Sequence, residues 1–330
     1  MAESLINSIA RLRVIEKRLI SKDQAARLVS APSYEDALRL LREAGYGRDI
    51  SQQEGEGDEI ERIISAELAA SYQEVEELMP ERHKDITGVF RMRHDVTNIK
   101  LLYKLRLMGQ ELKSAKLDEG GVYGEEELKS AMASGDYSMM PKQLEKTLEK
   151  LDVDTYYGAD PMQVSLAIDN AYVKYGLSHG NAFVRKYFKA LAEFNNLLII
   201  IRGGSEGFMP AGEFTEAELL NFAGAFKKDP AKLTEMIADV FTESKLRKEI
   251  RAAYEAYLAS GSPSAFEGAR DEYLIRLASE GRQDIDSPAP IVGYMLARER
   301  EAAVVRLILT AKRSGISMDF IKERGVGLYG

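Results

Sequence analysis

Three stretches of the sequence share one pattern: DVTNIKLLYKLRLMG at residues 95–109, EFNNLLIIIRGGSEG at residues 193–207 and EAAVVRLILTAKRSG at residues 301–315. They align without gaps, and each begins with an acidic residue and ends with a glycine. Roughly 100 residues separate one stretch from the next, a period far longer than that of short helical solenoid repeats. The sequence therefore predicts three similar units, each about a third of the chain.

Polar positions that recur in these stretches are the candidate functional residues. An acid opens each stretch, and an asparagine follows three places later in the first two. A cation stands nine places after the acid in the first two stretches, as Lys104 and Arg202. The third stretch departs from the pattern with Val304 and Thr310. The candidate set is Asp95, Asn98, Glu193, Asn196, Arg202 and Glu301.

These polar residues fall inside predicted helices whose other faces are apolar. In the first stretch and the residues before it, Val89, Met92, Val96, Ile99 and Leu102 follow helical spacing. A polar group beside such a face is unfavourable unless it is hydrogen-bonded. One interpretation is an internal clamp, in which the acid caps an adjacent helix of its own unit. The other is a row of polar groups that lines a surface where a partner docks, and the two are compatible.

Helix-favouring residues dominate the chain and the alternation typical of strands is nearly absent, so the predicted fold class is all-α. Each unit is predicted to hold one or two short helices followed by a long antiparallel pair, and an N-terminal helix precedes the first unit. The predicted domains are residues 1–110, 111–208 and 209–330. The first long helix of each pair is predicted near residues 60–79, 161–177 and 264–279, and a short helix near 34–44, 141–151 and 230–240.

Several helix ends have local signatures. Asp160-Pro161 and Asp229-Pro230 each place an N-cap aspartate before a proline at the first helical position. Capping-box spacing or a close variant of it is found at Ser21 with Gln24, Ser33 with Asp36, and Thr215 with Glu218. The glycines of RGGSEG, residues 202–207, follow an apolar helix and are predicted to end it. Residues 51–59, SQQEGEGDE, are polar and broken by glycine, which predicts a linker.

Composition excludes several classes of site. The 330 residues include no cysteine and three scattered histidines, so neither a thiolate nor a histidine-rich metal centre is expected, and no cofactor is predicted. The net charge of −8 argues against nucleic acid as a partner. The longest aliphatic run, residues 197–201, is far too short to span a bilayer, and the N-terminus lacks the apolar core of a secretory signal.

Motifs that suggest catalysis are weak. The C-terminal GVGLYG, residues 325–330, matches a dinucleotide fingerprint in letters, but the required helix and acid do not follow it. His94-Asp95 and Ser178-His179 are adjacent pairs, and neighbours on a helix point about 100° apart. A hydrolase that uses Asp95 or Glu193 near His94 is an alternative, but the favoured prediction is a protein with no active site.

Five segments together resemble the C subunit of the archaeal and bacterial V-type/A-type ATPase (ATP synthase), which is the homologue of the d subunit of the eukaryotic vacuolar ATPase. They are SIARLRVIEKRLIS at 8–21, SYEDALRLLREAGYG at 33–47, the stretch at 95–109, IIIRGGSEGFMPAGEF at 199–214 and the terminal segment at 288–317. The resemblance covers essentially the whole chain. It rests on the order and spacing of these segments, since none is diagnostic alone.

That resemblance implies a funnel-shaped, all-helical protein of three similar domains in a pseudo-three-fold arrangement, without an active site. Such a protein joins the central stalk to the cytoplasmic face of the membrane rotor ring, and it transmits torque between ATP chemistry and the movement of H⁺ or Na⁺. It implies a peripheral location on the cytoplasmic side of the membrane and one copy per complex. The alternative from the residues alone is a helical-repeat adaptor unrelated to ion transport.

Overall fold

The computed structural model describes residues 5–46, 59–156, 160–238 and 244–316. Across these ranges the regular secondary structure is helical, which confirms the predicted all-α class. The α-helices in the described ranges are α1 Leu5–Ile15, α2 Lys22–Ser30, α3 Tyr34–Glu43, α4 Glu59–Leu78, α5 Lys84–Leu107, α6 Glu125–Ser134, α7 Lys142–Tyr156, α8 Pro161–Ser178, α9 Ala182–Ile201, α10 Glu216–Lys228, α11 Lys232–Ile237, α12 Lys245–Ser260, α13 Pro263–Glu280 and α14 Ala289–Arg313. Most of the linker predicted at 51–59, and the GVGLYG tail, lie outside the described residues.

Side-chain caps begin several helices at the predicted places. Ser21 and Thr215 form complete capping boxes with the residues three positions on, at the starts of α2 and α10. Ser33 accepts a hydrogen bond from the N–H of Asp36 at the start of α3. Asp160 accepts from the N–H of Met162, and Pro161 follows it as the first residue of α8. A cap of this kind satisfies an N–H group that has no partner within the helix.

The three repeated helices end at glycines with left-handed backbone. Gly109 after α5, Gly203 after α9 and Gly315 after α14 have φ of 66°, 84° and 66°, a conformation that glycine adopts without a Cβ penalty. The predicted helix end at Gly203 is therefore confirmed. Gly207, which closes the aligned stretch, lies beyond that end, so α9 stops about one turn earlier than α5 and α14 do in the alignment.

One predicted cap is wrong. Asp229 ends α10, and the next helix, α11, begins at Lys232 instead of at Pro230. The Asp229 carboxylate accepts from the N–H of Ala231, but the N–H groups of Lys232 and Leu233 bond carbonyls three residues back. This tighter turn delays the regular α-helix, and α11 ends at Ile237. The sequence interpretation also missed α12, Lys245–Ser260, which directly precedes the long helix α13.

The chain divides into two compact units. The first combines residues up to Thr87 with residues from Ile275 onward, and α4 and α14 are its principal pair. These two helices run antiparallel, since Arg306 pairs with Glu61 while Arg298 pairs with Glu67. Its apolar core is built from α2, α3, α4 and α14.

The second unit, Gly88–Leu274, contains the packed series α7, α8 and α9. It holds a group of contacting aromatic rings that includes Phe90, Tyr172, Tyr187 and Phe188, with Tyr172 and Phe188 edge to face at 5.1 Å. The division into three sequence units stays a prediction. Among the described residues, no helix is both long and apolar enough to cross a membrane.

Candidate functional site

Asp95 lies on α5 and holds the segment that leads from α5 into α6. Its side chain is completely buried, and it accepts hydrogen bonds from the N–H groups of Val122 at 2.7 Å and Tyr123 at 3.3 Å. The carboxylate approaches the backbone so closely that a Cβ on Gly121 would lie 2.1 Å from its Oδ1. From the preceding turn of α5, Arg91 donates to the carbonyls of Gly120 and Gly121.

Asn98 holds the same segment a few residues earlier. Its side chain donates to the carbonyl of Asp118 at 2.8 Å and accepts from the N–H of Asp118 at 2.9 Å. These two bonds satisfy both the backbone donor and the backbone acceptor of Asp118. The Nδ1 atom of His94 lies 2.8 Å from the Asp118 carboxylate, so residues spread over two turns of α5 fix this segment.

Glu193 and Asn196 repeat the arrangement on α9. Glu193, also completely buried, accepts from the N–H groups of residues 211, 213 and 214 at 2.8, 2.8 and 3.4 Å. Asn196 bonds both the N–H and the carbonyl of Met209, at 2.7 and 2.8 Å. It also donates to Glu193 at 3.0 Å. The held segment leads directly into α10.

Glu301 makes the corresponding contact from α14 in a different chemical setting. One carboxylate oxygen accepts from the N–H of Ile20, and the other accepts from the Tyr46 hydroxyl at 2.8 Å and from Arg298. Arg298 is itself buried, and it also donates to Glu67 at 2.8 Å and to Ser71 at 2.9 Å. Where the other two sites have asparagine three residues on, α14 has Val304.

A common geometry joins the three acids. In each case the residue immediately before the N-cap of a short helix donates its N–H to the acid: Tyr123 before Gly124, Phe214 before Thr215 and Ile20 before Ser21. Asp95, Glu193 and Glu301 are called the linker-holding acids below. Each therefore fixes the entry of the chain into a short helix.

Arg202 does not belong to these buried contacts. Its side chain is 61% exposed and pairs with Glu267 on α13 at 2.5 Å. Sequence reasoning missed Arg298, Tyr46 and Asp118, because none occupies a position repeated in the three stretches. Arg298 had a usable signal, since an arginine three residues before a glutamate lies on the same helix face.

Burial sets the protonation behaviour of the linker-holding acids. It raises the pKa of the Asp95 carboxyl from 3.8 to about 6, although the N–H groups of Val122 and Tyr123 act in the opposite direction. The pKa of Glu193 and that of Glu301 are also raised by burial. Removal from water disfavours the charged form, and hydrogen bonds from backbone N–H groups offset that effect in part.

The adjacent pairs considered for catalysis make separate contacts. His94 is beside Asp118 while Asp95 faces the N–H groups of residues 122 and 123. The Ser178 hydroxyl donates to the carbonyl of Tyr175, and His179 accepts from the N–H of Asn181. Within the described ranges, no cluster of three or more histidine and acidic side chains is arranged to bind a metal. The described geometry is suited to holding backbone segments in place.

The chain is similar to known proteins over nearly its whole length. The family described as the ATP synthase (C/AC39) subunit matches residues 8–324. The C subunit of the V-type sodium ATPase of Enterococcus hirae is 24% identical, over 98% of each chain. The C subunit of the A-type ATP synthase of Haloquadratum walsbyi is 25% identical, over 95% of this chain and 96% of its own. That of Thermococcus kodakarensis is 23% identical, over 95% and 88%. With a family match that spans nearly its whole length, the chain belongs to the ATP synthase (C/AC39) subunit family.

Proposed function

We propose that this protein is a non-catalytic central-rotor subunit of a V-type/A-type ATPase. In this role it links the central stalk to the membrane rotor ring and transmits torque for ATP-coupled transport of H⁺ or Na⁺. The observation that carries the proposal is the family match over residues 8–324, together with relatives named as the C subunits of such complexes. One copy is expected per complex, peripheral and on the cytoplasmic side of the membrane.

The proposed architecture is three similar helical domains in a pseudo-three-fold, funnel-shaped arrangement, with boundaries at residues 1–110, 111–208 and 209–330. Support comes from the contact that recurs on α5, α9 and α14, in which a buried acid holds the entry to a short helix. The same hydrogen-bonding role at three aligned positions supports three related units over chance similarity of helix-rich sequence.

A subunit that transmits torque needs connections between its helices that do not deform under load. Hydrogen bonds to an ionised group are among the stronger ones available to a protein, each contributing about 1.5–3 kcal/mol. We assign Asp95, Asn98, Glu193, Asn196 and Glu301 the role of clamps between long helices and the segments that they hold. Arg202, which is exposed and paired with Glu267, is assigned to the surface that a partner contacts.

The test is reconstitution of the complex with and without this chain. The soluble head that hydrolyses ATP is expected to be active whether or not this chain is added, because the chain supplies no catalytic group. ATP-driven ion uptake into vesicles is expected with the chain present and absent without it. Co-purification with stalk and ring subunits from native membranes gives an independent measurement.

Three results would count against the proposal. Ion uptake that proceeds at the full rate without the chain would contradict a place in the torque path. Recovery of the chain as a free monomer, with no stalk or ring subunits, would favour the adaptor hypothesis instead. Loss of ATP hydrolysis by the soluble head would contradict the non-catalytic assignment.

A further inference from the structure

The three linker-holding acids differ in where their held segment comes from. Asp95 and Glu193 bond residues that follow their own helix, 27 and 18 positions later in the closest pairs. Glu301 bonds Ile20, which is 281 positions away at the other end of the chain. The contacts of Asp95 and Glu193 restrain a connecting segment whose ends are already kept close by the short stretch of chain between them. The Glu301 contact joins two segments that the local chain does not connect.

A second residue on α14 holds the opposite end of the same short helix. Lys312 donates to the carbonyl of Val29 at 3.0 Å and to that of Ala31 at 2.5 Å, at the end of α2. Glu301 therefore meets the entry to α2 and Lys312 meets its exit. An anion near the N-terminus of a helix and a cation near its C-terminus are both favourable, because each opposes the partial charge of the unpaired backbone groups there.

The same two-ended contact occurs within the second unit. Arg106 stands eleven places after Asp95, as Lys312 does after Glu301, and it donates to the carbonyl of Met132 in the last turn of α6 at 3.1 Å. The aligned position on α9 is Gly204, which lies beyond the early end of that helix. α5 and α14 thus carry an acid and a cation spaced to hold a short helix, and α9 carries the acid alone.

Glu301 has hydrogen-bond partners that the other two acids lack. The site has Val304 in place of asparagine, but the Tyr46 hydroxyl and Arg298 bond the carboxylate from two sides. Ile20 precedes α2 and Tyr46 follows α3, so two of the bonds to Glu301 come from the two sides of the chain that forms α2 and α3. Arg298 and Glu67 are the other charged groups that face this carboxylate.

We propose that Glu301 and Lys312 form a two-ended latch by which α14 binds α2, and that the N-terminal segment, residues 20–43, is released from α14 as one body when this latch opens. The inference concerns the first unit alone and does not depend on the proposed function. It assigns α14 an interaction surface whose partner is a helix from the opposite end of the same chain.

Hydrogen exchange on the full-length protein tests the latch. The double variant Glu301→Gln with Lys312→Met removes both charges; glutamine matches glutamate in length, and methionine is one atom shorter than lysine. Exchange of amides throughout residues 20–43 is expected to rise together by about tenfold or more, since hydrogen bonds to charged groups are lost and local opening becomes more frequent. Residues 125–134 of α6 are expected to keep their exchange rates.

The matched control changes the equivalent contact in the second unit. Asp95→Asn with Arg106→Met is expected to raise exchange in residues 120–134 and to leave residues 20–43 unchanged. An unchanged rate at 20–43 in the first double variant would overturn the proposal. A rise confined to residues 20–21 and 29–31 would also overturn it, because that pattern would mean that the bonds at the two ends of α2 open separately and that the segment is not released as one body.

A distance measurement covers the case in which the double variant folds poorly. Lys312→Met alone retains the buried carboxylate, and the chain has no native cysteine to interfere with labelling. Spin labels on cysteines at the exposed positions Ala26 of α2 and Ala303 of α14 report the separation of the two helices. A longer component is expected in Lys312→Met and not in the labelled parent. Identical distance distributions in the two proteins would overturn the latch.

Discussion

At the scale of single residues, the main feature is a buried carboxylate that bonds backbone N–H groups. Asp95 and Glu193 are completely buried, and they meet the segment that enters the next short helix. Such an acid satisfies amides that would otherwise lose their water without compensation. Ionising it away from water is unfavourable, so its effect on stability depends on pH.

Asp95 provides a pH-dependent prediction. Its pKa is about 6 in the folded protein against 3.8 as the reference value, so the part of the stability that comes from its protonation is complete below pH 3.8 and is lost as the pH rises through 6. The expected loss is about 3 kcal/mol in the free energy of unfolding. Arg91 and His94 are the neighbouring basic groups, and both act to lower the pKa of Asp95.

Comparison with Asp95→Asn at pH 4.5 and pH 7.5 isolates this contribution, because the amide does not titrate. Denaturant unfolding of both proteins is the measurement. The advantage of wild type over the variant should be larger at the lower pH. A difference between the two proteins that stays constant across this range would contradict the raised pKa.

Asn196 provides a second prediction at this scale. Asn196→Leu leaves the buried N–H and carbonyl of Met209 without their partner. The free energy of unfolding is expected to fall by roughly 2–4 kcal/mol. Asn221→Leu, at an exposed position of α10, is the matched control and should change stability by less than about 0.5 kcal/mol. Equal effects of the two substitutions would show that Asn196 is not a clamp.

At the scale of elements, helix ends depend on nearby residues, whereas close helix packing depends on residues that are distant in sequence. Capping boxes and left-handed glycines act within a few residues, and they position α2, α10 and the ends of the three repeated helices. Packing between helices depends on which small residue faces which large one. Gly176 on α8 lies directly against the ring of Phe188 on α9, where a Cβ would come within 2.2 Å of Cγ.

This contact predicts opposite effects for two glycine substitutions in helices. Gly176→Ala should lower the free energy of unfolding by about 1–3 kcal/mol, because the added methyl overlaps a buried ring. Gly224→Ala on α10 has nothing within 4 Å of the added methyl, and it should raise stability by about 0.5–1 kcal/mol through helix propensity. Denaturant unfolding of both variants checks the signs. Stabilisation by Gly176→Ala would mean that α8 and α9 are not packed this closely.

At the scale of the whole molecule, the two ends of the chain build one unit. Apolar residues of α14, including Val305 and Ile308, pack with Leu28 of α2 and Leu41 of α3 in a single core. Residues from opposite ends of the sequence therefore stabilise each other. The second unit is built from a continuous stretch of chain.

Removal of the first 46 residues should consequently destabilise α14. The deletion uncovers the apolar side chains that α14 directs into the shared core, so increased binding of a hydrophobic dye and a lower unfolding midpoint are expected. Circular dichroism should show a loss of helix beyond the share of α1, α2 and α3. A deletion protein that keeps the parent midpoint and binds no more dye would contradict the common core.

Much of the fold was predictable because its causes are local. The bounds of α4 and α8, the caps at Ser21 and Thr215 and the helix end at Gly203 follow from periodicity, side-chain capping and the conformational freedom of glycine. The missed start of α11 is also local, since a tight turn at Asp229 competes with the α-helix that the aspartate-proline pair favours. The candidate positions of the acids and asparagines came from their repetition alone.

The sequence by itself determined most of the helices, the helix ends that capping residues and glycines mark, and the positions at which an acid recurs. It did not determine which backbone each acid would meet, and here the tertiary structure decided. Glu301 and Ile20 are 281 positions apart, and nothing in either local sequence encodes their hydrogen bond. The physical reason is range: caps and turns are satisfied within a few residues, whereas the partner of a buried acid is set by the packing of the apolar faces around it.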